Sequence, residues 1–260
     1  MTDLKDDLIS IVVPVYNAKR FLEETVSCVQ AQNYTQWELL FVDDCSTDGS
    51  RELICKKAAA DKRIKLIEQP ENGGAAKARN RGVSKAVGRY LCFLDADDIW
   101  LPEKLSVQLS YLQELQQMVD KGAGFVFMGY EFADEKGCGL GKIVHVPYEV
   151  TYSEALKNTT IFTSTVMIDR KWIPDEDIMM PYVASEDTAT WWQILKKHGT
   201  GYGLDQNLVK YRRSSDTLSA NKLTAIKRIW GLYRKQEKLS IIRSAYCMIF
   251  WAFRAVRRRL

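Results

Sequence analysis

The stretch Arg89-Tyr90-Leu91-Cys92-Phe93-Leu94-Asp95-Ala96-Asp97-Asp98 decides how the chain is read. Tyr90 to Leu94 is a short apolar run of the kind a buried strand makes. It ends abruptly in three carboxylates within four residues. Three like charges this close repel one another unless a cation sits among them. Magnesium or manganese suits such a place, since both take oxygen ligands and bind through one or two carboxylates plus substrate phosphates. The same residues would also make a solvent-facing acidic turn before the helix expected from Pro102. The rest of the chain separates the two readings.

Working back, Leu8 to Val15 reads as a strand ending at Pro14-Val15-Tyr16-Asn17. Asn17 is expected to cap a helix through Gln32, with Phe21, Leu22, Val26 and Val29 on one face. Trp37 to Val42 is a second apolar strand, ending in Asp43-Asp44 and followed by the turn-rich Cys45-Ser46-Thr47-Asp48-Gly49-Ser50. A helix from Ser50 to Ala60 leads to a third strand, Ile64 to Glu68. Asn72-Gly73-Gly74 then opens a helix through Val87 that feeds the strand ending at Asp95. This alternation predicts an α/β fold with a mainly parallel sheet flanked by helices. In such sheets ligands bind beyond the carboxyl ends of the strands. Tyr16 and Asn17, Asp43 and Asp44, Gly73 and Gly74, and the three aspartates all fall at those ends. Four loops facing one crevice favour a site over four unrelated turns.

Working forward, Pro102 to Val119 is expected to be a helix with proline in its first turn, and Phe125 to Tyr130 a strand. Glu131 to Tyr148 reads as a glycine-containing excursion, Phe162 to Ile168 as a strand and Pro174 to Ala184 as a loop. Ser185 is expected to cap a helix through Lys197, and Leu208 to Tyr211 to form a short strand. The 260 residues carry a net charge of +4, unevenly placed. From Lys227 to Leu260 ten Lys/Arg face one acid, Glu237, giving +9, so the other 226 residues carry −5. An acidic body with a basic tail argues against a nucleic-acid partner. Six cysteines are scattered without metal-ligand spacing and are expected to be free thiols in a reducing compartment. His145 and His198 read as surface residues. Met1 to Asp7 is acidic and polar, unlike a signal peptide, and no run of about 20 apolar residues suggests a spanning helix.

Together Pro14-Val15-Tyr16-Asn17, Val42 to Ser50, Gly73-Gly74-Ala75-Ala76-Lys77-Ala78-Arg79-Asn80 and Leu94 to Asp98 resemble, in order and spacing, the family 2 inverting glycosyltransferases. Ser185-Glu186-Asp187 and Tyr211-Arg212 fit the same family, so the resemblance covers roughly residues 8 to 220. It is nearest to bacterial enzymes that extend lipopolysaccharide, capsule or exopolysaccharide. The resemblance implies a GT-A fold, with residues 1–100 as the nucleotide-sugar half and 101–220 as the acceptor and catalytic half. It also implies a nucleotide-sugar donor (a UDP-sugar), a divalent cation (Mn2+ or Mg2+) and a saccharide acceptor, lipid-linked in the family's usual case.

The implied donor contacts are Pro14, Tyr16, Asn17, Asp44, Gly74, Arg79, Asp95, Ala96 and Arg212. Tyr16 would stack on the base, Asp44 would accept the uracil imide N–H, and Gly74 before a helix would let backbone approach the diphosphate. Arg79 would reach the diphosphate or ribose, and Arg212 would close over the diphosphate. Asp95 would face the ribose side, and either Asp97 or Asp98 would hold the metal, with Asp97 favoured. Glu186 and Asp187 are the catalytic pair, Asp187 being the general base that the family implies. Trp191 and Trp192 are the candidates for a sugar or acceptor platform, one of them forming it and the other lying in the core. Relatives often carry a histidine soon after Tyr-Arg, where this chain has Ser214 and Ser215. Sugar transfer to polyprenyl phosphate, or a scaffold that has lost turnover, are the alternative functions.

Residues 221–260 form an amphipathic basic helical segment beyond the resemblance. Ile226, Ile229, Trp230 and Tyr233 recur at helical spacing, and Leu239 to Phe253 is apolar and aromatic, followed by Arg254 and Arg257-Arg258-Arg259. Residues 239–260 therefore fit either a helix lying on a membrane surface, which would place the protein at the cytoplasmic face of the cell membrane, or a helix packed on the body or in a dimer with solvated arginines.

Overall fold

The chain was analysed as a computed structural model that describes residues 4–119, 123–158, 160–213 and 222–257. Ser214, Ser215, Arg258 and Arg259 lie outside the described residues. Val42 and its neighbours explain the centre of the fold. All seven residues of strand β2 (Trp37–Asp43) are buried, as a strand covered on both faces must be. It lies between β1 (Lys5–Val15) and β3 (Ile64–Glu68), parallel to both, and β1 in turn pairs in parallel with β4 (Gly88–Phe93). Helices α1 (Lys19–Gln30), α2 (Ser50–Ala60) and α3 (Gly74–Lys85) make the crossovers.

Side chains alternate along β1 between two layers. Ile9, Ile11, Val13 and Val15 join the layer containing Leu22, Val26 and Val29 of α1. Val12 joins the opposite layer with Ala78 and Val83 of α3. Gly82 permits that second contact, since a Cβ there would lie 2.3 Å from Val12 Cγ1. A buried polar tie runs across the same strands. Ser10 donates to Glu38 at 2.6 Å and accepts from the Gly88 amide at 2.9 Å, while Lys65 reaches Glu38 at 2.7 Å.

The second half continues the same sheet through β5 (Ile99–Trp100), α4 (Lys104–Met118), β6 (Phe125–Ala133), β7 (Gly139–Val144), β8 (Glu149–Val150), the short α5 (Tyr152–Ala155), β9 (Met167–Asp169), the short α6 (Asp175–Ile178), α7 (Glu186–His198) and β10 (Gly201–Arg212). The order is β3-β2-β1-β4-β9-β6-β10-β5, with β7 on β6 and β8 on β10. β9 runs antiparallel to both β4 and β6, so the sheet is mixed with a parallel centre. The stretch expected as a strand from Phe162 is instead a 3₁₀ turn at Thr163–Thr165 leading into the three-residue β9. The expected loop after Pro174 holds α6. Pro102 lies before α4 rather than inside it. Two C-terminal helices, α8 (Lys222–Gly231) and α9 (Ile241–Arg257), complete the described chain. All six cysteines are free.

Candidate active site

Each strand of the parallel centre ends in a loop, and hydrogen bonds tie these loops to one another. After β1, Asn17 adopts a left-handed φ of 50° and accepts from the Thr47 amide at 2.8 Å, joining the first loop to the second. Asn17 does not cap α1. That task falls to the second loop, where Asp48 accepts from the Lys19 amide at 2.9 Å and Ser50 from the Ala18 amide at 3.1 Å. Tyr16 is 57% exposed beside this junction, with Pro14 half-buried behind it. A flat aromatic face is thus open to a planar ring.

Asp44 is buried and shapes the third loop. Its two oxygens accept from the Gly73 and Gly74 amides, each at 2.7 Å, and from Gln69 at 3.0 Å. A carboxylate offers about four lone-pair positions, so one remains for a further donor. Gly74 opens α3 at φ 79°, a conformation that favours glycine. Nothing lies within 4 Å of the place its Cβ would take, so the glycine serves conformation rather than space.

The loop after β4 separates its three acids. Asp95 is half-buried and meets the Arg79 guanidinium at 2.6 Å. The Ala96 carbonyl turns inward and accepts from Thr25 at 2.7 Å. Asp98 is buried, accepting from Ser164 Oγ at 2.5 Å and from the Arg212 amide at 3.2 Å. Both of its oxygens are thus engaged, whereas Asp97 is half-buried and is the candidate metal ligand of the two. Burial, with Asp95 beside it, pushes the Asp97 carboxyl up to about 6. Burial beside Asp97 and Asp95 also pushes Asp98 well above the carboxylate range. Among the described residues no group of three His, Cys, Asp or Glu forms a metal cage. One accessible carboxylate in a field of negative charge fits a cation that completes its shell with phosphate oxygens and water.

Arg212 does not reach toward a ligand. Its buried guanidinium donates to the carbonyls of Asp97 at 2.7 Å and Glu135 at 2.6 Å, pairs with Glu24 and lies over the Phe21 ring. It braces the acidic loop from behind instead of forming a clamp.

Across the sheet, α7 begins with Glu186 and Asp187. Ser185 precedes it at φ 61° and makes no side-chain cap. Asp187 accepts from Thr163 Oγ1 at 3.1 Å and from the Thr188 amide at 2.6 Å. Glu186 accepts from Arg79 at 2.9 Å, and burial beside Asp187 raises its pKa against the opposing pull of Arg79. Arg79 is thus a buried guanidinium shared by Asp95 and Glu186, and it joins the β4 loop to the start of α7. Asn17, Cys45 and Ser185 are three of the four described non-glycine residues at positive φ, and each lies on a loop of this cluster.

The family model for glycosyl transferase family 2 matches residues 10–159, more than half of the chain. The chain belongs to family 2. It is 41% identical over 261 residues to the Bacillus subtilis chain TuaG, whose name assigns it to teichuronic acid biosynthesis as a glycosyltransferase, with all of both chains covered. It is 36% identical over 231 residues to the Escherichia coli UDP-Glc:alpha-D-GlcNAc-diphosphoundecaprenol beta-1,3-glucosyltransferase WfgD, covering 88% of this chain and 86% of that one. Among solved structures, the Pyrobaculum calidifontis mannosyltransferase PcManGT, in complex with GDP-Man and Mn2+, superposes with a TM-score of 0.68 at 17% identity, covering 93% of this chain and 68% of that one. Likeness at that identity concerns the fold, which is GT-A.

The two tryptophans of this family 2 chain are not a platform. Trp191 is buried and stacks on Phe125 with ring centroids 5.4 Å apart. Trp192 is buried and stacks on Tyr233 at 5.3 Å, the planes 2° apart. Residues 191 and 192 follow Asp187 by one turn, and both face inward. A different aromatic pair stands near Asp187. Phe162 and Tyr211 are half-buried with ring centroids 4.4 Å apart. Phe162 precedes Thr163, which holds Asp187, and Tyr211 precedes Arg212, which holds the Asp97 carbonyl. The sequence reading also missed Thr163 and Ser164. The dense run Thr159-Thr160…Thr163-Ser164-Thr165 was a signal, since hydroxyls crowd poorly into a central strand but serve well in a turn. His198 accompanies Asp177 at 2.7 Å and His145 accompanies Asp205 at 3.0 Å, neither of them in this cluster.

Proposed function

We propose that this family 2 glycosyltransferase moves a sugar from a UDP-sugar to a saccharide carried on a lipid diphosphate, with inversion at the anomeric carbon. The supporting observation is the Asp95–Arg79–Glu186 bridge, which ties the strand-end acids and the acids opening α7 into one cluster. Residues 1–100 supply the donor half: Tyr16 stacks on the base, Asp44 uses its remaining acceptor position for the imide N–H, and the Gly73–Gly74 turn admits the diphosphate. Asp95 takes the ribose side. Asp97 would hold a divalent cation, which supplies charge neutralisation for the departing diphosphate when bound.

Residues 101–220 supply the acceptor half. The acceptor sugar stacks on Phe162 and Tyr211, and its hydroxyl points at Asp187. Asp187 takes the hydroxyl proton as the oxygen attacks the anomeric carbon. The new carbon–oxygen bond forms while the bond to the β-phosphate oxygen breaks, and UDP leaves with the electron pair. One displacement inverts the centre, so no enzyme nucleophile is required. Thr163 aims the carboxylate, and Glu186, held by Arg79, keeps the start of α7 in place. The named activity of the Escherichia coli relative supports both the donor class and the lipid-diphosphate acceptor, and with such an acceptor the work would lie at the cytoplasmic face of a membrane.

The test is titration calorimetry with UDP, GDP and ADP, each with Mn2+ and with chelator, followed by product analysis with UDP-sugars and a GlcNAc-diphospholipid. UDP binding that needs the metal and is lost in Asp97→Ala, with a β-linked product from an α-linked donor, is the expected result. Failure of every nucleotide to bind would end the reading.

A further inference from the structure

Helix α9 carries two apolar faces, and the protein covers only one. At 100° per residue, Ser244, Cys247 and Trp251 fall on one side of the helix, and all three are buried against the body. Ile242, Ile249 and Phe253 fall on the opposite side and are 84%, 68% and 67% exposed. Ile241, Tyr246 and Phe250 widen that outward face. A helix apolar all round is normally buried all round. Arg243 and Arg254, eleven residues apart, share the flank between the two faces. Helix α8, packed against α9, shows a further stripe of Leu223, Ile226 and Trp230, with exposed Lys227 beside it.

Charge selects what covers this face. Residues 222–257 contain a single acid, Glu237, and it is engaged by Tyr152 at 2.5 Å and Lys196 at 3.0 Å. A second copy docked through the same face would set arginine against arginine, and the carboxylate beside Arg254, that of Glu154, is already engaged by the Thr151 amide and hydroxyl. An anionic lipid surface supplies both an apolar phase and negative headgroups. The 17 described residues of α9 rise about 25 Å, short of the roughly 30 Å hydrocarbon core, and no described helix is long and apolar enough to cross a membrane.

We propose that α8 and α9 seat the protein on an anionic membrane, with α9 lying in the plane of the lipid surface and Arg243 and Arg254 on headgroup phosphates. The seat is fixed to the catalytic helix. Tyr233, between α8 and α9, stacks on Trp192 of α7 and donates to the Leu156 carbonyl, while Glu237 pairs with Lys196 of α7. The helix that begins with Glu186 and Asp187 thus stands at a set height above the lipid, where a membrane-held acceptor presents its sugar.

The test is vesicle flotation of the full chain, with phosphatidylglycerol and phosphatidylcholine vesicles at low and high salt. Binding to the anionic vesicles that weakens with salt is expected. The triple variant I242E/I249E/F253E should bind about tenfold or more weakly, and R243Q/R254Q should lose the preference for anionic lipid. All these side chains lie outside the core, and an unchanged thermal midpoint verifies folding. Absence of vesicle binding, equal binding to neutral and anionic vesicles, or an unaffected triple variant would each overturn the proposal. So would a dimer in light scattering that the triple variant dissociates, since a second copy would then cover the face. The vesicles contain neither donor nor acceptor, so this outcome stands apart from that of the transferase reading.

Discussion

Asp187 spends one oxygen on the Thr163 hydroxyl and the other on the Thr188 amide, and each oxygen keeps lone-pair capacity for an incoming proton. Asp187→Asn preserves size and removes the base. Its kcat should fall by about 10²–10⁴, with UDP affinity unchanged by calorimetry. Asp98 gives a prediction of opposite character. Burial raises its pKa, so its ionised form costs the folded state stability, and that cost grows as pH rises from the unfolded carboxylate range through the folded value. Asp98→Asn should therefore raise the metal-free thermal midpoint at pH 7, by about 2–4 °C for each kcal/mol recovered, and flatten its pH dependence. Neighbouring aspartates look alike in sequence. Their difference arises from the turn after β4, where the Asp98 amide donates to the Asp95 carbonyl at 3.0 Å and sends one side chain inward and the next toward the opening. No spacing rule encodes that choice. Arg79 was singled out in the sequence for a diphosphate or ribose contact, but the carboxylates that share it, 16 and 107 residues away, were not legible.

At the scale of elements, the strand and helix alternation up to β4 was readable because each strand is a continuous apolar run and each helix has its own period. The region around β9 was not. Three residues of strand cannot establish a period of two, and the preceding Thr163–Thr165 turn carries no glycine or proline to announce itself. Helix α7 was legible, but the direction of its tryptophans was not, because an aromatic residue one turn from a catalytic acid suits a platform or a core equally. Trp192→Ala should lower stability by about 3–5 kcal/mol in denaturant titrations and leave the acceptor KM of the folded fraction unchanged. Tyr211→Ala should raise the acceptor KM about tenfold with little effect on UDP binding. The polar tie across β1, β2 and β4 makes a pH prediction. Burial pushes Glu38 up, but Lys65, Ser10 and the Val87 amide outweigh it and hold its carboxyl below the usual range. A depressed carboxyl contributes stability that is present above the unfolded pKa and lost as pH falls through the folded one. Glu38→Gln should therefore be destabilised at pH 7 and should show a shallower loss between about pH 5 and pH 2 in urea midpoints.

At the scale of the whole molecule, ligand and fold are linked. Three acids crowd one loop, so the folded state gains whatever a cation and a diphosphate contribute there. UDP with Mn2+ at about 100 times Kd should add about 2.7 kcal/mol to unfolding free energy, seen as a rise in thermal midpoint that chelator removes. The family and its fold were legible from four motifs because those motifs are strand ends. The apolar and aromatic character of α9 was legible, but which side of it is already covered needed the burial of Ser244, Cys247 and Trp251.

The sheet runs from β3 to β5 without a break, and β4 shares its edges between β1 and β9. A piece of the chain ending near residue 100 would keep the loops after β1 to β4 yet leave β4 with a bare row of amides and carbonyls. Such a fragment invites aggregation through that edge. Residues 1–100 and 101–220 thus share one sheet that neither a protease nor a stop codon can divide, and hydrogen exchange should find β1, β2, β4 and β9 opening together as one unit.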